Sequence, residues 1–142
     1  MSEKRDLIQA FYDKIWVAGE FEAAETFFDL DAEASGLMPE LAIGAAEFHE
    51  FVAALLNQLD VRRVSLEKTV EKGDWISVMA SFEAMVLATG QTISGSGVLM
   101  ARIVDGKIEE AYNCMDFMSF FEKLGLLPEH SLELCLTGQR LG

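Results

Sequence analysis

Residues Met100–Phe117 read MARIVDGKIEEAYNCMDF and decide the fold. Two runs rich in apolar residues flank Asp105-Gly106-Lys107, where the Asp-Gly pair is typical of the tight turn of a β-hairpin. The second run leads directly into Asp116, a residue type favoured as a helix N-cap, and an apolar run follows it. The segment therefore predicts a β-hairpin whose second strand leads into a helix, 117–124, that ends at Gly125.

The same type of sequence continues upstream of this hairpin. Residues 61–70, 75–87, 92–104 and 108–115 are rich in β-branched and aromatic residues, and short turn sequences separate them. Apolar stripes at helical spacing come earlier, in residues 7–16, 21–28 and 48–59. Residues 29–44 predict an irregular segment with at most one short strand. Helices followed by hairpin-linked strands predict an α+β fold with an antiparallel sheet.

Composition and charge limit the class of protein. A chain of 142 residues with 51% hydrophobic residues predicts a single domain, 1–142, with a helical extension from about residue 128. The net charge of −13 disfavours nucleic acid and anionic membranes as partners, because both repel an acidic surface. The N-terminal residues show no signal peptide, and two cysteines suit free thiols in a reducing compartment. We expect a cytoplasmic protein.

A family resemblance rests on the segment Arg102–Ile108, RIVDGKI, followed by Asp116-Phe117 and then by Lys123-Leu124-Gly125. This pattern resembles the SnoaL-like polyketide cyclase family, within the nuclear transport factor 2-like superfamily. The resemblance spans about residues 6–127. It implies a cone-shaped, curved antiparallel sheet closed by N-terminal helices, a pocket for a small hydrophobic ligand, and pairing of two cones through the outer face of the sheet.

The alternation of strand residues assigns the two faces of the sheet. In residues 92–104, Leu99 lies on one face, and Val98 and Met100 lie on the other. Neither face is clearly polar, so we expect both to be covered. One face would meet the helices and the pocket. The other would meet a second copy of the chain in a homodimer whose interface includes Val98, Met100 and Tyr112.

The resemblance also assigns two positions of the family's chemistry. A carboxylate that serves as acid and base, and a histidine on the neighbouring strand, correspond to Asn113 and Leu99. An amide does not exchange a proton near neutral pH, and leucine donates no hydrogen bond, so the family's acid/base residues are not retained. Asn113 is expected to point inward at the base of a mostly apolar cavity. It would either orient a ligand carbonyl or satisfy buried backbone groups.

The expected ligand pocket consists of Tyr12, Trp16, Phe82, Leu99, Asn113 and Asp116. The resemblance places an aromatic residue at Trp16 beside the ligand, although Tyr12 and Trp16 also fit simple core packing at this helical spacing. Asp116 is favoured as an N-cap over a catalytic role. Alternation along the strands places Glu83 and Glu110 on the outer face. His49 and His130 stand in no metal-ligand spacing, so no metal site is expected, and no cofactor is predicted.

Two functions remain open at this point. The first is binding of a small hydrophobic molecule in an apolar cavity. The alternative is an isomerase, cyclase or hydratase that acts on a small apolar or polyketide-like substrate, with Asp116 or Glu110 as its carboxylate. A third interpretation is a dimer whose own side chains fill the pocket. The residues therefore leave open whether the chain is an enzyme.

Overall fold

A computed structural model of the protein describes residues 2–36, 43–44, 50 and 53–141. The described strands are β1 (Phe28–Gly36), β2 (Ile43–Gly44), β3 (Leu59–Lys72), β4 (Trp75–Val86), β5 (Thr92–Val104) and β6 (Lys107–Met115). They form one six-stranded sheet in the order β2-β1-β6-β5-β4-β3. Strands β3 to β6 pair antiparallel with their neighbours, whereas β1 pairs with β6 in parallel. The predicted α+β class with an antiparallel sheet is confirmed.

The hairpin between β5 and β6 has the turn that its sequence predicts. Val104 and Lys107 form the closing pair. Asp105 and Gly106 lie between them with φ of 51° and 74°. Positive φ at both central residues is what a type I′ turn requires, and it follows the right-handed twist of the flanking strands. The turn thus fixes which residues of β5 and β6 stand opposite one another.

The N-terminal helix contains the first predicted apolar stripe, although its second half is not α-helical. Ser2 Oγ accepts a hydrogen bond from the Arg5 amide at 3.0 Å, so Ser2 caps the helix. The α-helix Glu3–Phe11 continues as a π-helix, Tyr12–Val17. Gly19 then ends it with φ of 74°, a conformation that glycine adopts without strain. Ile8, Phe11 and Ile15 are buried in one core with the side chains of the sheet.

The segment that follows departs from the prediction. Residues 21–26 form a 3₁₀ helix, and the short strand expected within 29–44 corresponds to the nine-residue β1, which begins at Phe28. Strand β6 has a second edge beyond β5, and β1 pairs its backbone groups there. Local sequence does not indicate this pairing. Residues 53–56 are helical, whereas Leu59 begins β3. Phe48, Phe51 and Val52 of the third predicted stripe lie outside the described residues.

The C-terminal part consists of two short helices, Phe117–Lys123 and Ser131–Leu136. The second starts later than Pro128-Glu129, the predicted start, because Ser131 is buried and the Leu132 amide donates to Glu122 Oε1 at 2.8 Å. Leu132 and Leu136 are exposed on it. Within the described ranges, no helix combines the length and the apolar composition that a membrane crossing requires.

Candidate functional site

The candidate site lies on what we call the inner face, the side of the sheet that carries Val78, Leu99 and Ala111. These side chains belong to the core that the N-terminal helix joins through Ile8 and Ile15. Opposite residues of an antiparallel pair point to the same face. Pairing and burial therefore assign inner-face positions along all three strands from β4 to β6.

Asn113 stands opposite Leu99 in β6, so it belongs to the inner face. Leu99 is buried, but the side chain of Asn113 is exposed. Its neighbour in the parallel strand is Gly36, and Gly97 lies diagonally across in β5. Neither neighbour has a side chain that could cover the amide. The amide of Asn113 is thus open to solvent, and a cavity with Asn113 at its base stays a prediction.

Phe82 covers part of the inner face next to a glycine. It pairs with Gly95, where an added Cβ would stand 2.6 Å from the ring atoms Cε1 and Cζ. The ring also meets Phe120 of the Phe117–Lys123 helix edge-on, with centroids 5.9 Å apart. A side chain at position 95 would therefore displace the Phe82 ring from its present place. Glycines at alternate inner positions, 95 and 97, were the sequence signal for this close approach.

Tyr12 and Trp16 come from the π-helical part of the N-terminal helix. Both are partly buried and pack against the core. The Gln9 amide anchors this helix on the sheet, because its Nε2 donates to the Val64 carbonyl of β3 at 3.0 Å. Tyr12 meets Phe11 edge-on, with ring centroids 5.5 Å apart. Burial raises the pKa of the Tyr12 hydroxyl to about 12, since the phenolate is poorly solvated there.

Asp116 is an N-cap in the structure. Its Oδ1 accepts from the Ser119 amide at 3.1 Å, at the start of the Phe117–Lys123 helix. The capping interpretation is confirmed. The side chain is exposed, so the carboxylate is also open to solvent at the end of β6.

Glu110 belongs to a network on the outer face. Arg102 binds Glu109 at 2.7 Å and approaches Glu110 at 3.6 Å. The Tyr112 hydroxyl donates to Glu110 Oε1 at 2.9 Å, and its ring stacks on Trp75. A β-bulge between the pairs Arg102–Glu110 and Ile103–Ile108 brings both carboxylates to one guanidinium. The sequence predicted the outward direction of Glu110, but it gave no signal for the bulge.

Glu83 also faces outward and forms an ion pair with Arg63 at 3.4 Å. Glu83 and Glu110 therefore both lie outside the inner face. Within the ranges that the structure describes, no three side chains of His, Cys, Asp or Glu lie close enough together to hold a metal ion.

The family model of SnoaL-like polyketide cyclases matches residues 6–124. This chain belongs to the SnoaL-like polyketide cyclase family. The match covers the N-terminal helix, the sheet and the Phe117–Lys123 helix, as the resemblance predicted. No curated protein matches the SnoaL-like chain in sequence.

Solved structures show the same fold at low sequence identity. AclR, a proposed hydroxylase from Streptomyces galilaeus, is 18% identical with a TM-score of 0.77, over 97% of this chain and 91% of AclR. A proposed SnoaL-like polyketide cyclase from Jannaschia sp. CCS1 is 17% identical with a TM-score of 0.71, over 89% and 94% of the two chains. A protein with a ketosteroid isomerase-like fold from Catenulispora acidiphila, solved with trimethylamine, is 16% identical with a TM-score of 0.70, over 84% and 92%.

Proposed function

We propose that this SnoaL-like protein binds a small hydrophobic molecule on the inner face of its sheet, without the acid/base pair of the family. One observation supports this most directly. Asn113 and Leu99 stand opposite each other at the two positions where family resemblance places a carboxylate and a histidine. Neither side chain exchanges a proton near neutral pH. The remaining chemistry at this pair is apolar contact and hydrogen bonding by the amide.

The inner face has the composition of a site for an apolar ligand. Asn113 is the single polar residue among the inner-face positions of β4 to β6, all of which the structure describes. Glycine and alanine occupy six of the others, namely Ala80, Ala84, Gly95, Gly97, Ala101 and Ala111. Small apolar residues next to one exposed hydrogen-bonding group favour a ligand that is mostly apolar and carries one polar atom. Tyr12, Trp16 and Phe82 would supply aromatic contacts at its border.

A fluorescent probe tests this proposal. N-phenyl-1-naphthylamine is neutral and emits strongly only in apolar surroundings. We expect one probe molecule per chain in the wild type. Asn113→Phe would fill the inner face and weaken binding by at least about tenfold, which corresponds to about 1.4 kcal/mol.

Cys114→Phe is the matched control. Cys114 is the next residue of β6, is also exposed, and points to the outer face opposite Val98. This variant should bind the probe like the wild type. If both variants bind equally well, or if Cys114→Phe alone loses the probe, the site is not on the inner face.

A second candidate function is an isomerase, cyclase or hydratase, and the exposed carboxylate of Asp116 at the end of β6 favours it. One carboxylate oxygen is used by the cap, so the other is available to a substrate. The names of several structural neighbours contain polyketide cyclase. Asp116→Asn keeps the cap and removes the base. Turnover of a polyketide-like substrate that survives in this variant would exclude Asp116 as the acid/base.

We also propose that two copies pair through the outer face of the sheet. Met79, Val98 and Met100 are 46%, 43% and 45% exposed there, and Tyr112 lies beside them. Contiguous apolar side chains of this kind are unusual on a surface that stays in water. The outer faces of two copies would bury each other around a two-fold axis.

A further inference from the structure

Two thioether side chains stand together on the outer face of the sheet. Met79 in β4 pairs with Val98 in β5, and Met100 follows Val98 on the same face of β5. Met79 and Met100 are therefore diagonal neighbours on two adjacent strands, and we call them the methionine pair. They are 46% and 45% exposed, so small solutes in the surrounding water can reach both side chains in a single copy of the chain.

The other methionines that the structure describes are less open to solutes. Met85, Met115 and Met118 are only partly exposed. The sulfur atom of Met85 also accepts a hydrogen bond from the Arg62 guanidinium at 3.5 Å. This bond engages electron density on the sulfur, which an oxidant would otherwise attack. Among the described methionines, the methionine pair is therefore the most accessible to an oxidant.

Oxidation of a thioether by a hydroperoxide transfers one oxygen atom. A lone pair of the sulfur attacks one peroxide oxygen, the O–O bond breaks and an S–O bond forms. The other oxygen leaves with a proton as water or as an alcohol, so the sulfur is oxidised by two electrons and the peroxide is reduced by two. The product, methionine sulfoxide, is a polar side chain in place of an apolar one.

A sulfoxide on the outer face is tolerated in a single copy but not in the proposed homodimer. In a single copy, water hydrates the new oxygen atom. In the homodimer that oxygen would lose its water, and burial of a polar group without a hydrogen bond is unfavourable. Two donors on this face are already engaged, since the Tyr112 hydroxyl donates to Glu110 and the Arg102 guanidinium binds Glu109.

We propose that the methionine pair is an oxidation site for hydroperoxides, and that its sulfoxide form separates the two copies of the chain. This inference rests on the proposed pairing through the outer face, because that pairing is what would bury the sulfoxides. Pairing in turn protects the methionine pair, because the outer face is closed to solutes in the homodimer. Methionine sulfoxide can be reduced again by enzymes, so the modification is reversible.

Rates of oxidation at several protein concentrations test the protection. Cys114 and Cys135 are first replaced by serine, because both thiols are exposed and would also react with hydrogen peroxide. Peptide mass spectrometry then gives the rate of oxidation at each methionine. We expect the methionine pair to react more slowly as the protein concentration rises through the range in which dimers form. Met85 is the internal control, and its rate should not depend on the protein concentration.

Sedimentation equilibrium of the oxidised protein tests the separation. Each copy would bury at least one sulfoxide at a cost of about tenfold in affinity, so oxidation should weaken the dimer at least about a hundredfold. The double variant Met79→Leu/Met100→Leu, in the same serine background, keeps apolar side chains of similar volume and should stay dimeric in peroxide. Met85→Leu in that background is the matched control, and it should separate on oxidation.

The outcomes distinguish this inference from the pairing itself. A dimer that persists after the methionine pair is oxidised, or a double leucine variant that also separates in peroxide, would overturn the oxidation site and leave the pairing intact. The same holds if the methionine pair reacts no faster than Met85 at the lowest protein concentration. A protein that is monomeric before oxidation, or a dimer whose methionine pair reacts at a rate independent of concentration, would overturn both the pairing and the oxidation site.

Discussion

Tyr12 makes the free energy of unfolding depend on pH, and this dependence can be measured without any ligand. The pKa of its hydroxyl is raised from 10.0 to about 12 by folding. Above pH 10 the unfolded chain therefore loses this proton before the folded chain does. The contribution of the Tyr12 hydroxyl to the free energy of unfolding is fully present below pH 10 and is lost as the pH rises through 12. From pH 9 to pH 11 the loss from this one group is about 1 kcal/mol.

Urea unfolding at pH 9 and pH 11 measures this loss. Tyr12→Phe should lose about 1 kcal/mol less than the wild type between the two pH values, because phenylalanine does not titrate. Tyr112→Phe serves as the comparison, since it removes the other tyrosine and keeps Tyr12. Identical losses in the wild type and in Tyr12→Phe would show that the Tyr12 hydroxyl is not buried.

For Asn113, the sequence predicted the face of the sheet but not the neighbouring residues. Alternation from the Asp105-Gly106 turn places Asn113 on the side of Leu99, and the pairing agrees. The exposure of the amide depends on Gly36, which reaches Asn113 only through the parallel pairing of β1 with β6. No local pattern indicates that neighbour, so the open position of the amide could not be predicted.

At the scale of single elements, the Phe117–Lys123 helix offers a direct test of Asp116. Asp116→Ala removes the acceptor for the Ser119 amide and should lower the free energy of unfolding by about 1 kcal/mol. Asp116→Asn keeps an acceptor oxygen in the same place and should lose only a few tenths of a kcal/mol. Chemical denaturation of both variants gives the two values. Equal stability of Asp116→Ala and the wild type would contradict the cap.

Elements that form from neighbouring residues were predicted well. The ends of β5 agree with the prediction, and those of β4 and β6 agree within one residue, because compact turns at 72–74, 89–90 and 105–106 delimit them. Prediction missed the parallel pairing of β1, the bulge in β6 and the π-helix Tyr12–Val17. β1 and the bulge depend on pairing with another strand. The four-residue apolar spacing of the N-terminal helix fits α and π geometry equally well.

At the scale of the whole molecule, the exposed outer face predicts the assembly state. Sedimentation equilibrium should give twice the chain mass of 15.7 kDa at micromolar concentration. Met100→Glu should shift the protein toward monomer, because it would bury two like charges around the two-fold axis. A wild type that stays monomeric, unchanged by dilution, would contradict the homodimer.

Leu87→Glu is the control for that substitution. Leu87 is 50% exposed and lies in the turn between β4 and β5, outside the strands that form the outer face. The same change of charge there should leave the dimer intact. Dissociation by both variants would indicate a general effect of added negative charge on an acidic chain and not an interface at Met100.

Binding on the inner face can be tested most directly by NMR, because the chain has two tryptophans on different sides of the sheet. Trp16 packs against the core beside the inner face, whereas Trp75 stacks on Tyr112 on the outer face. A ¹⁵N-labelled sample is titrated with N-phenyl-1-naphthylamine, with the indole signals assigned by Trp75→Phe. The proposed function predicts that the Trp16 indole and the Asn113 side-chain amide shift together, and that the Trp75 indole does not. Movement of the Trp75 indole alone, or of neither indole, would contradict binding on the inner face.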